Sequence, residues 1–176
     1  MSKEFTSNSD VQSLSIARQP IFDIKQRLWG YLLLCIGSKG PVCSKSLEAD
    51  TIASHLAASA YIGLKQVTEK GMKLLVDYTN KNLLDHLPYA LPSDLAAVAV
   101  TQALCRQPEM KKILTQLHKD GYTIVIRDFN FKENFDAIYK LAHIFAVDAD
   151  DTPDEMILDM ANVARAHGKK IMAMQL

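Results

Sequence analysis

The sequence predicts an α/β fold built on a mainly parallel sheet, and three observations carry that prediction. Short apolar runs begin near positions 73, 96, 123, 144 and 170. A segment with apolar side chains at helical spacing separates each run from the next. The steps between runs are 21 to 27 residues, the length of a strand plus one crossover helix, which is how parallel neighbours are joined. Periodicity alone leaves two architectures open, a TIM-type barrel and a doubly wound open sheet.

The elements follow in order. Residues 1–14 read as a disordered tail, because Ser2 to Gln12 is polar and lacks the apolar centre of a signal peptide. One domain is expected over 15–176. Ala17 to Asp23 and Gly30 to Leu34 read as a strand, a turn and a second strand, with Trp29, Leu32, Leu33 and Leu34 as its apolar content. Ile36 to Lys45 holds two glycines and a proline and reads as a loop. Leu47, Ile52, Leu56, Ala60 and Leu64 mark a helix. Lys73 to Tyr78 reads as a strand apolar on both faces. Asn80 is the expected N-cap of a short helix around Leu83 and Leu84.

Ala96 to Val100 is the next strand. Pro108 suits the first turn of a helix carrying Met110, Ile113, Leu114 and Leu117, closed by Gly121. Thr123 to Ile126 follows as a strand, then a helix with Phe135, Ile138, Tyr139 and Ala142 on one face. Ile144 to Val147 is a strand, and Asp151 to Glu155 opens the last helix. That helix is expected to bury Met156, Ile157, Met160, Ala161 and Ala164. Lys170 to Met174 ends the series as a strand.

Composition excludes several classes. The 176 residues are 48% hydrophobic and 23% charged, with 20 basic and 20 acidic side chains. Such a neutral chain carries no global footprint for nucleic acid or an acidic membrane. No apolar run reaches the roughly 18–20 residues of a membrane helix. Cys35, Cys43 and Cys105 lack disulfide or zinc spacing, and the expected setting is a reducing cytoplasm. The five histidines show no i, i+4 pair, and no nucleophile elbow or glycine-rich phosphate loop occurs.

One stretch is more specific. Ala17-Arg18-Gln19-Pro20-Ile21-Phe22-Asp23, followed by Gly30-Tyr31-Leu32-Leu33-Leu34, resembles the opening of EAL-type domains, the cyclic-di-GMP phosphodiesterase family, in the form that precedes HDOD domains. The resemblance extends to the terminus and favours the barrel. It implies an incomplete (β/α) barrel of EAL type, with the last strand and flanking helices missing and the domain C-terminally truncated. In that family, carboxylates at the strands' carboxyl ends hold Mg²⁺ or Mn²⁺ for phosphodiester hydrolysis.

The resemblance also assigns positions. The first metal-binding glutamate falls on Leu32 and a following arginine on Ile36. The asparagine ligand falls on Asp77 and the next glutamate on Ala99. A metal-bridging aspartate falls on Arg127, with Asp128 kept beside it in Arg127-Asp128-Phe129. The lysine of the sixth strand falls on Ala146, with Asp148 kept, and the last glutamate falls on Met174. Leu32, Ala99, Arg127, Ala146 and Met174 are therefore degenerate positions, and no catalytic or metal-binding set is expected.

Gln19, Asp77, Arg127, Asp128 and Asp148 are the remaining ligand-binding candidates, with Arg18 beside Gln19. An alkyl group cannot ligate a cation, and a guanidinium repels one. Two outcomes are expected for the acidic residues: a residual one-cation cluster, or an ion pair of Arg127 with Asp77 or Asp128. The functional expectation is an inactive EAL-like domain without a cofactor, acting in bacterial signalling through a protein partner or self-association. The alternative is a receptor that binds cyclic-di-GMP without cleaving it.

Overall fold

The computed structural model describes residues 15–37, 40–41, 71–129 and 136–174. Strands β1 (Ser15–Phe22) and β2 (Leu28–Gly37) form an antiparallel hairpin. Asp23 builds its turn, since Oδ1 accepts the backbone N–H of Lys25 and Arg27 at 2.8 and 2.9 Å. Its Oδ2 accepts from Arg27 Nε at 2.8 Å, and these bonds hold its carboxyl below the usual carboxylate pKa. A two-residue strand, β3 (Gly40–Pro41), pairs back onto β2. The loop expected from Ile36 is thus partly strand, with Ile36 in register with Pro41 and Gly37 with Gly40.

From β2 onward the sheet is parallel. β4 (Lys73–Asp77), β5 (Ala96–Thr101), β6 (Thr123–Arg127), β7 (Ile144–Asp148) and β8 (Lys170–Met174) follow as expected. The strand order is β1-β2-β4-β5-β6-β7-β8, with β3 on β2. Gly30 makes the β2–β4 junction possible: a methyl group there would run into the backbone carbonyl of Lys73, its register partner.

Helices α1 (Asn80–Leu84), α2 (Pro108–Lys119), α3 (Asp136–Leu141) and α4 (Asp154–Ala166) fill the connections. Asn80 is the first helical residue of α1, not its cap. Thr79 caps it instead, in a reciprocal box in which Thr79 Oγ1 accepts from Asn82 N and Asn82 Oδ1 accepts from Thr79 N. α4 begins at Asp154, three residues later than expected, because Pro153 sits at its N-cap. Met156, expected inside, is exposed; Met160 and Ala164 are the buried residues of α4.

Two apolar clusters flank the sheet. One joins Leu33, Leu74, Val76, Val98, Val100, Ile124, Ile126, Phe145 and Val147 to Leu83, Met110, Leu114, Leu117, Ile138, Met160 and Ala164 of the four helices. The other contains strand residues only: Leu32, Leu75, Ala97, Ala99, Val125, Ile144, Ala146 and Met174. All four described helices therefore cover one face, which excludes a doubly wound sheet with helices on both faces. The sheet curls over the second cluster as a half-barrel of TIM type. The helix expected over 47–64, the tail 1–14, Phe135, Cys43 and the Ile36 side chain lie outside the described residues.

Candidate functional site on the concave face

Side chains alternate along a strand, so the residues two beyond each concave core position share its face. Asp77 follows Leu75, Thr101 follows Ala99, Arg127 follows Val125 and Asp148 follows Ala146. The carboxyl ends of β4 to β7 thus present Asp77, Thr101, Arg127 and Asp148 above an apolar floor. Leu32, Ala99, Ala146 and Met174, four of the five positions at which the resemblance expects a lost ligand or catalytic group, lie in the floor itself, none more than 8% exposed.

Arg127 pairs with Asp77. Its Nη1 donates to Asp77 Oδ2, with the guanidinium side chain 7% exposed and the aspartate 39%. The bond passes over β5, whose residue in register with Asp77 is Ala99 and whose residue in register with Arg127 is Thr101.

The other candidates take different settings at the strand ends. Asp128 lies one residue past β6 with φ 54°, a left-handed conformation aspartate tolerates, and its side chain is exposed. Asp148 closes the turn after β7, its Oδ1 accepting from the backbone N–H of Asp150 at 2.9 Å and Asp151 at 3.2 Å. Arg18 and Gln19 are exposed on β1, and Gln19 stands opposite Leu32 in the hairpin register. Among the described residues no three His, Cys, Asp or Glu side chains are grouped to hold an ion. Cys105 is buried, and that burial pushes its thiol up to about 12.

Sequence reasoning missed a groove of about 810 Å³ between β1 and β8. It runs from Gln19 and Met174 to Ile144 and Lys170, and Arg165 and Lys169 reach it from the end of α4 and the turn that follows. These residues lie up to 155 positions apart, Gln19 to Met174, so no local pattern announces it. Burial lowers the pKa of Lys169, whose Nζ donates to the carbonyl of Lys140 at 3.1 Å.

A parallel half-barrel with helices outside and a strand-only core inside defines a TIM-type α/β domain. Comparison with solved structures narrows this to the fold of EAL domains. The chain superposes on the PaMucR phosphodiesterase, solved as a c-di-GMP complex, with a TM-score of 0.72 at 17% identity, covering 91% of this chain and 84% of that one. In sequence it is 21% identical over 134 residues to the cyclic di-GMP phosphodiesterase CdgJ of Vibrio cholerae, which is 76% of this chain and 31% of that protein. It is 27% identical over 116 residues to the YuxH protein of Bacillus subtilis, 65% of this chain and 28% of that one. The chain therefore spans less than a third of the curated relatives it matches. No family model matches it. No described helix is long and apolar enough to cross a membrane.

Proposed function

We propose that this chain is a catalytically inactive EAL-like domain that works in bacterial signalling by binding another protein. One observation carries this reading: Leu32, Ala99, Ala146 and Met174, where the EAL resemblance places ligand and catalytic positions, belong to a single buried apolar cluster. Hydrocarbon contributes no lone pair to a cation, and Arg127 adds a fixed positive charge on the same face. Repulsion between a guanidinium and a divalent ion at close range is on the order of several kcal/mol in a partly desolvated site. Asp77, the best-placed carboxylate, already accepts from Arg127. Asp148 is engaged by its own turn, and Asp128 is exposed beyond the strand end. This donor set does not fit a pair of Mg²⁺ or Mn²⁺ ions.

The alternative is a receptor that holds cyclic-di-GMP without cleaving it. Gln19 favours it, since it is exposed at the mouth of the groove. The charge of Arg127, which would face a phosphate in that reading, is instead taken up by Asp77. Calorimetry with cyclic-di-GMP is expected to show no heat at tens of micromolar, with or without Mg²⁺. Chromatography of cyclic-di-GMP incubated with the chain and Mn²⁺ is expected to show no product. Metal-dependent turnover that disappears in Asp128→Ala would establish an enzyme and remove the inactive reading.

A further inference from the structure

Among the described residues β1 and β8 are the two sheet edges, and the groove lies between them. Its floor is apolar, with Ile21, Trp29, Leu32 and Met172. Its end near the amino termini of the strands is basic. Arg27, Arg165, Lys169 and Lys170 line it against one carboxylate, Asp23, which Arg27 already engages. A chain of zero net charge thus concentrates cations at one end of one groove.

The two edges differ in what they offer a backbone. β1 carries Pro20, which has no N–H to donate, a feature of edges protected from pairing. On β8, Lys170 N donates to His143 O at 3.2 Å and Met174 O accepts from Ala149 N at 2.9 Å. Those residues face β7. In a parallel strand the alternate residues, Ile171 and Ala173, turn N–H and C=O the other way, toward the groove.

We propose that the groove takes an extended acidic segment of a partner protein, added as a strand on β8. This deepens the protein-binding reading above and rests on it. The segment's backbone pairs with Ile171 and Ala173, alternate apolar side chains lie over Trp29 and Met172, and its carboxylates meet Arg165 and Lys170. A second copy suits this groove less well: β8 paired with β8 across a two-fold runs antiparallel and sets each basic end against the other's Gln19 and Met174 end, where the groove lining offers no carboxylate.

The test is selection of random dodecapeptides displayed on phage against the full chain. Enriched peptides are expected to be acidic with alternating apolar residues. Binding should weaken at least tenfold in Arg165→Glu/Lys170→Glu and several-fold in the milder Arg165→Gln/Lys170→Gln, with both folds checked by circular dichroism. Bound peptide should slow amide exchange at Ile171 and Ala173. No enrichment, peptides without acidic excess, binding that survives both double variants, displacement by cyclic-di-GMP, or unprotected Ile171 and Ala173 amides would each overturn the proposal. Hydrolysis of cyclic-di-GMP by the unaltered chain would instead remove the inactive reading and leave peptide binding to stand or fall separately.

Discussion

Arg127 on β6 is held by Asp77 on β4, two strands away, across β5, where Ala99 stands in register with Asp77 and Thr101 with Arg127. The two partners differ in environment, and that difference sets what each substitution costs. Removing Asp77 leaves a guanidinium that is 7% exposed, whereas removing Arg127 leaves a carboxylate that is 39% exposed and can rehydrate. An unpaired buried charge costs roughly 3–5 kcal/mol, and a partly exposed one distinctly less. Asp77→Ala should therefore lose about 3 kcal/mol in urea unfolding and Arg127→Met about 1. The reverse order would contradict the described burial of the pair.

A carboxylate placed at Leu32, where the resemblance puts the first metal-binding glutamate, should not create a metal site. Leu32 is 3% exposed inside the strand-only cluster. Leu32→Glu both removes packing and buries an acid, at a cost of about 3–5 kcal/mol at neutral pH. The buried acid's folded-state pKa is raised, so its penalty is smallest below the unfolded value of about 4.3 and grows as pH rises. Unfolding at pH 4 and pH 8 measures this. A variant equally stable at both, or one that gains Mn²⁺-dependent turnover, would show that the cluster is more open to water than described.

His143 gives the fold an acid-sensitive joint. Its Nδ1 accepts the backbone N–H of Ile124 at 3.0 Å, which requires that nitrogen unprotonated, and its ring stacks on His118 with centroids 4.9 Å apart. Burial first, then His118, Lys169 and Lys73, hold its pKa below the ordinary histidine value. The unfolded chain then takes up the proton before the folded one. This contribution is whole above about pH 6.5 and is lost as pH falls through the lower folded value. The urea midpoint should drop between pH 7.5 and 5, and His143→Asn, which keeps an acceptor without titrating, should flatten that drop. An unchanged slope would refute it.

Much of the strand skeleton was legible because buried parallel strands are written as continuous apolar runs, as in Leu74-Leu75-Val76 and Ala96 to Val100. The ion pair was half legible. Strand alternation places Asp77 and Arg127 on the face of Leu75 and Val125, while Asp128, adjacent to Arg127 in sequence, points elsewhere. Thr79 and Asn80 are both residue types that suit an N-cap, and only the bond from Thr79 N to Asn82 Oδ1 decides for Thr79. Met156 has the right helical spacing but sits in the first turn of α4, where it remains exposed. The groove was invisible because it exists only once β1 and β8 approach across the sheet's gap.

The central claim is that apolar side chains and a paired arginine stand where the EAL resemblance places metal ligands. Crystals soaked in manganese and measured for anomalous scattering address it most directly. The expected map has no peak among Asp77, Asp128 and Asp148 and retains the Arg127–Asp77 contact. An ordered manganese ion coordinated by Asp128, with Arg127 swung away from Asp77, would contradict it.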